Sequence, residues 1–318
     1  MKHNIKITAI LLGMFLVAQI IGLIIISAYT PQIKQIINPE TGELENITAN
    51  QLPYGMQPPQ IDAGPSLISI IISFLIAITL ILILSKYKWK FLIKTWFFIV
   101  VVIALGIALN AFLKYSLTSS ALISLIIALP LAFFKIYRQN FLIHNITEVF
   151  IYPGIAAVFV PILSIWTIII LLVLISLYDM WAVWHTGIMQ KMAKFQIQEL
   201  NIFGGFFIPS VSKKVKEQIK LLKQKYKNKI PPKVVKDKKF RIKLAILGGG
   251  DVVFPIITAG VFLRAIGIIP ALFITLGAFA GLTYLFITSE KKAYPAMPYI
   301  TTGIFIGMIL WWVLKAVI

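Results

Sequence analysis

The sequence predicts an all-α polytopic membrane protein with nine transmembrane helices, a cytoplasmic N-terminus and a C-terminus outside. The chain is 59% hydrophobic with a mean hydropathy of +0.91, which is more apolar than a soluble domain of 318 residues can bury. Nine apolar segments are each long enough to approach the thickness of a bilayer. The basic residues fall almost entirely on one side of these segments, as the positive-inside rule requires.

The nine predicted spans follow one another along the whole chain. The first is too long for the apolar core of a signal peptide and lacks a small-residue cleavage site, so we interpret it as a retained helix. Only a turn at Pro161 separates the fifth span from the sixth. The predicted spans cover residues 7–29, 66–85, 95–113, 118–134, 141–160, 162–186, 244–263, 266–288 and 295–316.

The charge distribution fixes the predicted orientation. With the N-terminus inside, 26 of the 30 basic residues lie on the inner side and four remain outside. The net charge of +19 therefore reflects topology in the cell membrane and does not indicate nucleic-acid binding. We treat residues 1–318 as one domain, in which spans one to six occupy 1–186, a basic cytoplasmic loop occupies 187–243, and spans seven to nine occupy 244–318.

Two polar stretches interrupt the spans. The outer stretch, about residues 30–65, is rich in Pro, Asn and Gln and is predicted to form an irregular cap over the helix ends. The inner loop begins with an apolar run, Ile202–Ile208, that is too short to span the bilayer. From Ser210 the loop is rich in Lys. This part is either a solvated linker or a segment attracted to anionic lipid head groups.

The composition also limits the chemistry. The absence of cysteine excludes disulfides, thiolate catalysis and Cys-ligated metal. The three histidines (His3, His144 and His185) are scattered, so no metal or other cofactor is expected. Four polar residues near predicted span ends are expected to lie at the membrane interface and receive no role: Asn110, Asn145, Glu148 and His185.

Two acidic residues, Asp179 and Asp251, lie deep in predicted spans, where an ionisable side chain indicates a functional site. Asp179 lies eight residues before Gly187, where the sixth span is predicted to end. Asp251 lies eight residues after Lys243, where the seventh is predicted to begin. At about 1.5 Å per residue, both carboxylates are expected roughly 12 Å below the inner surface, on adjacent antiparallel helices.

Two carboxylates at hydrogen-bonding distance cannot both ionise easily, so the pair is expected to share one proton. The ionised carboxyl group can then take a proton from a water that attacks a peptide carbonyl. The protonated one can donate to the developing oxyanion, and the roles reverse for the leaving amine. Such a mechanism requires neither a metal nor a covalent intermediate.

Two further motifs are candidate substrate-binding segments. Gly248, Gly249 and Gly250 precede Asp251, and the missing side chains allow another backbone to approach closely. The segment Pro295-Ala296-Met297-Pro298 opens the ninth span on the same inner side. Its prolines lack backbone donors, which predicts an irregular edge where an extended substrate strand could pair. Each motif alone is also compatible with ordinary helix packing or a helix start.

Taken together, these residues resemble the motifs of a known family. Tyr178-Asp179, Gly248-Gly249-Gly250-Asp251 and Pro295-Ala296-Met297 look like the YD, GxGD and PAL motifs of presenilins and signal peptide peptidases. The inner N-terminus resembles the presenilin orientation, and the short cysteine-free chain is most similar to archaeal presenilin homologues. Met297 departs from the usual leucine, a volume-conserving change.

The resemblance implies an intramembrane aspartyl protease with Asp179 and Asp251 catalytic and Tyr178 beside the site. Its substrates would be single-span membrane proteins or signal-peptide-like segments in the lipid bilayer, and a homo-oligomer is compatible with the pattern. Two alternatives stay open from the residues alone: a proton-coupled transporter or channel, which also uses paired acids, and a prepilin-type peptidase, which would not explain the proline motif.

Overall fold

The computed structural model describes residues 5–30, 32–37, 44–49, 52–55, 89–138, 140–186, 202–210, 243–289 and 294–317, together with isolated positions between 68 and 87. Eight α-helices have defined bounds within these residues. They are α1 (Ile5–Ala28), α2 (Lys90–Leu113), α3 (Ser120–Tyr137), α4 (Phe141–Phe159), α5 (Ile165–Trp181), α6 (Gly249–Ala265), α7 (Ile268–Thr288) and α8 (Met297–Val317). A 3-10 turn, Val160–Ile162, follows α4, and a π-helical turn, Ala182–Thr186, follows α5.

Seven of the described helices are long and apolar enough to cross a membrane, namely α1 to α5, α7 and α8. Their bounds lie within a few residues of the predicted spans. The predicted second span, 66–85, is described only at scattered positions, and those described between 68 and 83 are helical. The protein is therefore mostly helical, as predicted.

Two small antiparallel sheets depart from the all-α prediction. The first pairs β1 (Gln32–Ile37) with β2 (Leu44–Ala49) in the outer stretch, where an irregular cap was predicted. The second pairs β3 (Gly205–Ser210) with β4 (Lys243–Gly248). β3 contains the end of the apolar run that is too short to span the bilayer. Both pairings satisfy backbone hydrogen bonds that irregular chain would leave open.

The predicted start of the seventh span is wrong. The structure has strand β4 over residues 243–248, and α6 begins at Gly249, so Asp251 lies in the first turn of its helix rather than eight residues along it. Three consecutive glycines disfavour a helix at this point. The preceding residues pair with β3, and alternate side chains of β4, Ala245 and Leu247, are buried while Ile246 is 40% exposed.

The bundle is organised around α1. This helix packs against α4, α6 and α7, and its side chains Leu11, Phe15 and Ala18 are fully buried in the main core. Helices α2 and α3 pack on the α4 side, whereas α5 and α8 pack on the opposite side, beside α6. This arrangement places α5, α6 and the start of α8 next to one another.

Close helix packing fixes the position of α8. The backbone of α8 approaches that of α7 at Gly303, where an added Cβ would overlap the Gly277 carbonyl group. Gly281 likewise faces the Tyr299 carbonyl group. Small residues allow such close approach between membrane helices. The start of α8 is therefore held firmly against the rest of the bundle.

Candidate active site

Asp179 lies two residues before the end of α5, and its side chain is only 4% exposed. Its Oδ2 accepts a hydrogen bond of 3.0 Å from the backbone N–H of Met297, at the start of α8. The backbone N–H of Ala296 also donates to this carboxylate. Two backbone donors from the proline segment therefore fix the orientation of the Asp179 side chain.

A second bond aligns the same two helices. The hydroxyl group of Ser176, one turn before Asp179, donates to the Thr301 hydroxyl group at 2.8 Å, one turn after Met297. Both side chains are buried. The pair could not be predicted, because nothing in the local sequence distinguishes these two residues from helix-packing hydroxyl residues. The two contacts, one turn apart, fix the register of α5 against α8.

Asp251 lies in the first turn of α6, directly after the three glycines. Its carboxylate accepts a hydrogen bond from the backbone of Gly248, which precedes the helix. A Cβ at Gly248 would lie 3.0 Å from Oδ2 of Asp251, so the carboxylate folds back over this glycine. The N-terminal end of a helix favours negative charge at this position.

The structure brings the two acids together. Helix α5 contacts α6, and Asp179 lies within electrostatic range of the Asp251 carboxyl group. The two carboxyl groups therefore lie on contacting helices, near enough for one charge to influence the other. This is the arrangement that paired acid/base chemistry requires.

The remaining predicted site residues differ in their packing and in their exposure. Gly249 packs against the ring of Tyr152, whereas Gly250 is exposed, and a Cβ there would make only an ordinary contact, at 3.8 Å, with the Phe254 ring. Pro295 and Met297 are buried, and Ala296 is partly buried. Tyr178 is 48% exposed and lies beside the ring of Trp181. Its role at the site stays a prediction.

The interfacial prediction is wrong for three polar residues. Asn110, Asn145 and Glu148 are all at most 7% exposed, and only His185 is exposed as expected. Each of the three has a partner inside the bundle, which explains why it is not at the surface. Asn110, for example, donates to the Tyr29 hydroxyl group at 3.0 Å.

A buried polar cluster on α4 was not predicted from the sequence. It is formed by His144, Asn145 and Glu148 together with Lys135 from α3. Lys135 Nζ lies 2.6 Å from Glu148 Oε1, and both side chains are almost fully buried. The signal was available as a lysine directly after the fourth predicted span and a glutamate in the fifth, with a short turn between the spans. Within the described residues, no group of three or more acidic or histidine side chains could hold a metal ion.

Comparisons with known proteins show which family the chain matches. A family model described as "Signal-peptide peptidase, presenilin aspartyl protease" matches residues 45–317. A comparison with the sequences of curated proteins gives no match.

Among solved structures, the fold is similar to that of a presenilin family intramembrane aspartate protease in the C222 space group, with a TM-score of 0.59 at 19% identity. That match covers 96% of this chain and 99% of the other. The fold is also similar to that of a presenilin family intramembrane aspartate protease in the P2 space group, with a TM-score of 0.57 at 18% identity and 96% of each chain covered. At this level of identity the solved structures support the fold.

Proposed function

The chain belongs to the family of signal-peptide peptidases and presenilin aspartyl proteases and is an intramembrane aspartyl protease, and we propose that Asp179 and Asp251 are its catalytic pair. This membership confirms the resemblance drawn from the three motifs. The observation that supports the proposal is the position of the two carboxyl groups on the contacting helices α5 and α6, within electrostatic range of each other.

The proposed reaction is the hydrolysis of a peptide bond by water. One carboxylate removes a proton from the water as it attacks the carbonyl carbon, and the other carboxyl group donates a hydrogen bond to the oxyanion. The tetrahedral intermediate then breaks its C–N bond while the amine receives a proton from the carboxyl group that was first the base. The pair ends with one proton, as it began, and no further reactant is consumed.

We propose that the substrate is held extended next to this pair. A helical peptide bond is shielded by its own hydrogen bonds, so the substrate must unwind before water can attack. Strand β4 runs directly into Gly248 and Asp251, and an extended peptide added to it would pass the carboxylates. The exposure of Gly250, which has no side chain, supports a close approach of the substrate backbone.

The proline segment is proposed to serve the catalytic pair as well as the substrate. The N–H groups of Ala296 and Met297 both donate to Asp179, and Pro295 has no N–H. We infer that this segment orients Asp179 while its other side borders the substrate. Tyr178 would contact substrate or lipid at the rim of the site.

The remaining topology is also a proposal. We propose nine spans with the N-terminus in the cytoplasm, the C-terminus outside and residues 1–318 forming one protease domain, because this arrangement places 26 of 30 basic residues inside. The substrates would be single-span membrane proteins or signal-peptide-like segments. A site near the cytoplasmic side is consistent with Asp179 lying near the end of α5 that precedes the basic loop.

The test compares wild type with Asp179→Asn and Asp251→Asn in detergent, using a single-span peptide as substrate. Asparagine keeps the shape of aspartate but cannot exchange the catalytic proton. We expect discrete fragments from wild type and none from either variant. Equal cleavage by all three proteins, or proton transport by wild type in liposomes without cleavage, would contradict the proposal.

A further inference from the structure

Two adjacent side chains on α4 reach across to strand β3. His144 Nε2 lies 2.8 Å from the carbonyl oxygen of Gly205. Asn145 contacts Phe207 twice, because its Nδ2 donates to the Phe207 carbonyl oxygen at 2.9 Å and its Oδ1 accepts from the Phe207 N–H at 3.1 Å. The side-chain amide of Asn145 therefore pairs with β3 as a neighbouring strand would.

These contacts determine which edge of β3 is closed. Backbone groups of alternate residues in a strand point to opposite edges, and those of Phe207 point to α4. Gly205 and Pro209 share this direction, being two residues away on either side. The Gly205 carbonyl group is occupied by His144, and Pro209 has no N–H to offer. The outer edge of β3 is thus unable to accept another strand.

The register of the sheet then identifies the edge that none of the described residues occupies. Phe207 is opposite Ile246, and Pro209 is opposite Leu244. Because Phe207 and Pro209 point away from β4, Ile246 and Leu244 point away from β3 in turn. No described residue pairs with their backbone groups. This outer edge of β4 leads directly to Gly248 and the catalytic helix.

A buried cation fixes the donor role of His144. Lys135 Nζ lies 3.2 Å from His144 Nδ1 and 2.6 Å from Glu148 Oε1. An ammonium group can only donate, so Nδ1 must accept, and the ring proton must lie on Nε2, which faces the Gly205 carbonyl group. The Lys135–Glu148 pair therefore selects the histidine tautomer that β3 requires.

The contacts of His144 and Asn145 with β3 also select the register of β3 on β4. A slip of one residue would turn Phe206, which is fully buried against Tyr152, to the other face of the sheet. A slip of two residues would keep the faces and is not excluded by burial. The paired contacts of Asn145 with Phe207 oppose the two-residue slip, because they bind this one residue of β3 to α4. Strand β4 is held relative to α4 as well, since it continues into α6, which packs against α4.

We propose that His144 and Asn145 are positioning residues that close the outer edge of β3 and fix its register on β4. They thereby direct the extended substrate to β4 and set which of its peptide bonds reaches the two aspartates. This inference rests on the proposed function. Neither side chain touches the reacting atoms, so loss of either should alter where the substrate is cut more than how the bond is broken.

The first test locates the cleaved bond by mass spectrometry. Asn145→Leu removes both contacts at similar volume, and His144→Phe removes the donor, whereas His144→Gln retains a side-chain N–H. We expect Asn145→Leu and His144→Phe to produce additional fragments displaced by about two residues, with KM raised about fivefold or more. His144→Gln should restore the wild-type fragments.

Asn110→Leu is the matched control. Asn110 is as buried as Asn145, but its partner is Tyr29. Asn110 lies near the C-terminal end of α2 and Tyr29 directly follows α1, away from the site. We expect this variant to lose thermal stability to a similar extent while cutting the wild-type bond alone. If Asn145→Leu also cuts only the wild-type bond with unchanged KM, the positioning role is overturned.

The second test reads the register without activity. The chain has no cysteine, so an introduced pair has no background. Phe207→Cys with Ile246→Cys joins positions that face each other in the non-hydrogen-bonded geometry, whose Cα separation of about 4.5 Å suits a disulfide. Phe207→Cys with Leu244→Cys reports a register displaced by two residues.

We expect Asn145→Leu to lower the yield of the first disulfide by at least half and to raise that of the second. Unchanged yields of both, in Asn145→Leu and in His144→Phe, would overturn the inference even if Asn145→Leu proved inactive. Failure of the Asp→Asn test would instead contradict the catalytic proposal, and the disulfide yields would still report the register.

Discussion

The backbone N–H of Met297 donates a 3.0 Å hydrogen bond to Oδ2 of Asp179, joining the start of α8 to the end of α5 across 118 positions of the chain. A main-chain donor orients a carboxylate without the rotamer freedom of a side chain. The orientation of one acid of the pair therefore depends on the docking of the last described helix, and it becomes correct only when the bundle is complete.

Met297→Pro tests this relationship directly. Proline is tolerated at the first position of a helix, which Met297 occupies, but it has no N–H to donate to Asp179. Losing one hydrogen bond to a charged group removes about 1.5–3 kcal/mol. We expect kcat/KM to fall roughly ten- to hundredfold, as measured by cleavage of a quenched single-span peptide.

Met297→Leu is the control for that change. Leucine keeps the N–H and nearly the same volume, so cleavage should stay within about threefold of wild type. A proline variant that cuts as fast as the leucine variant would show that the Met297 donor is unimportant for the reaction.

Gly250→Ala should separate stability from activity. A Cβ at Gly250 has only Phe254 side-chain atoms nearby, at 3.8 Å or more, so the fold should tolerate it. The proposed substrate backbone approaches this open side, and the methyl group should obstruct it. We expect an unchanged thermal midpoint with KM raised about tenfold or more. An unchanged KM would place the substrate elsewhere.

Gly249→Ala should behave in the opposite way. A Cβ there would lie 2.9 Å from the buried Tyr152 ring, and overpacking of this kind costs about 1–3 kcal/mol. We therefore expect a lower thermal midpoint, measured by circular dichroism in detergent. If both alanine variants are equally stable, the described packing of Tyr152 on Gly249 is wrong.

The buried pair of Lys135 and Glu148 should show strong coupling. Removal of one partner leaves an uncompensated charge inside the bundle, which costs about 3–5 kcal/mol. Lys135→Met and Glu148→Leu should each lower the free energy of unfolding by this amount, and the double variant should recover at least half of the loss. Additive losses in the double variant would exclude a direct interaction.

The rate should pass through a maximum with pH. At low pH both carboxyl groups are protonated and no base is present, while at high pH both are ionised and no acid is present. We expect cleavage of the single-span peptide to fall on both sides of the maximum while the circular dichroism spectrum stays constant. A rate that rises to a plateau would indicate a single titrating group.

Much of the bundle could be predicted because apolar length is a local property. Each long helix has enough consecutive apolar residues to be recognised without knowing its neighbours. The start of α6 could not be predicted in this way. Residues 244–247 are apolar enough to extend the span, and they form a strand because β3, contributed by a distant part of the loop, pairs with them.

The same contrast holds at the site. Asp179 and Asp251 were found because an acid in an apolar segment is unusual whatever surrounds it. Glu148 and Asn145 were assigned to the interface because they lie near predicted span ends. Their actual partners, Lys135 and Phe207, come from other elements, and this pairing depends on packing that no single segment reveals.

The most direct test of the central claim is a double-mutant cycle on the cleavage rate with Asp179→Asn, Asp251→Asn and the double variant, each confirmed to be folded. Residues that act as one unit are not additive in their effects. We expect each single variant to fall to the same residual rate as the double variant. A single variant that retains more than about a tenth of the wild-type rate, or losses that multiply in the double variant, would contradict a shared catalytic pair.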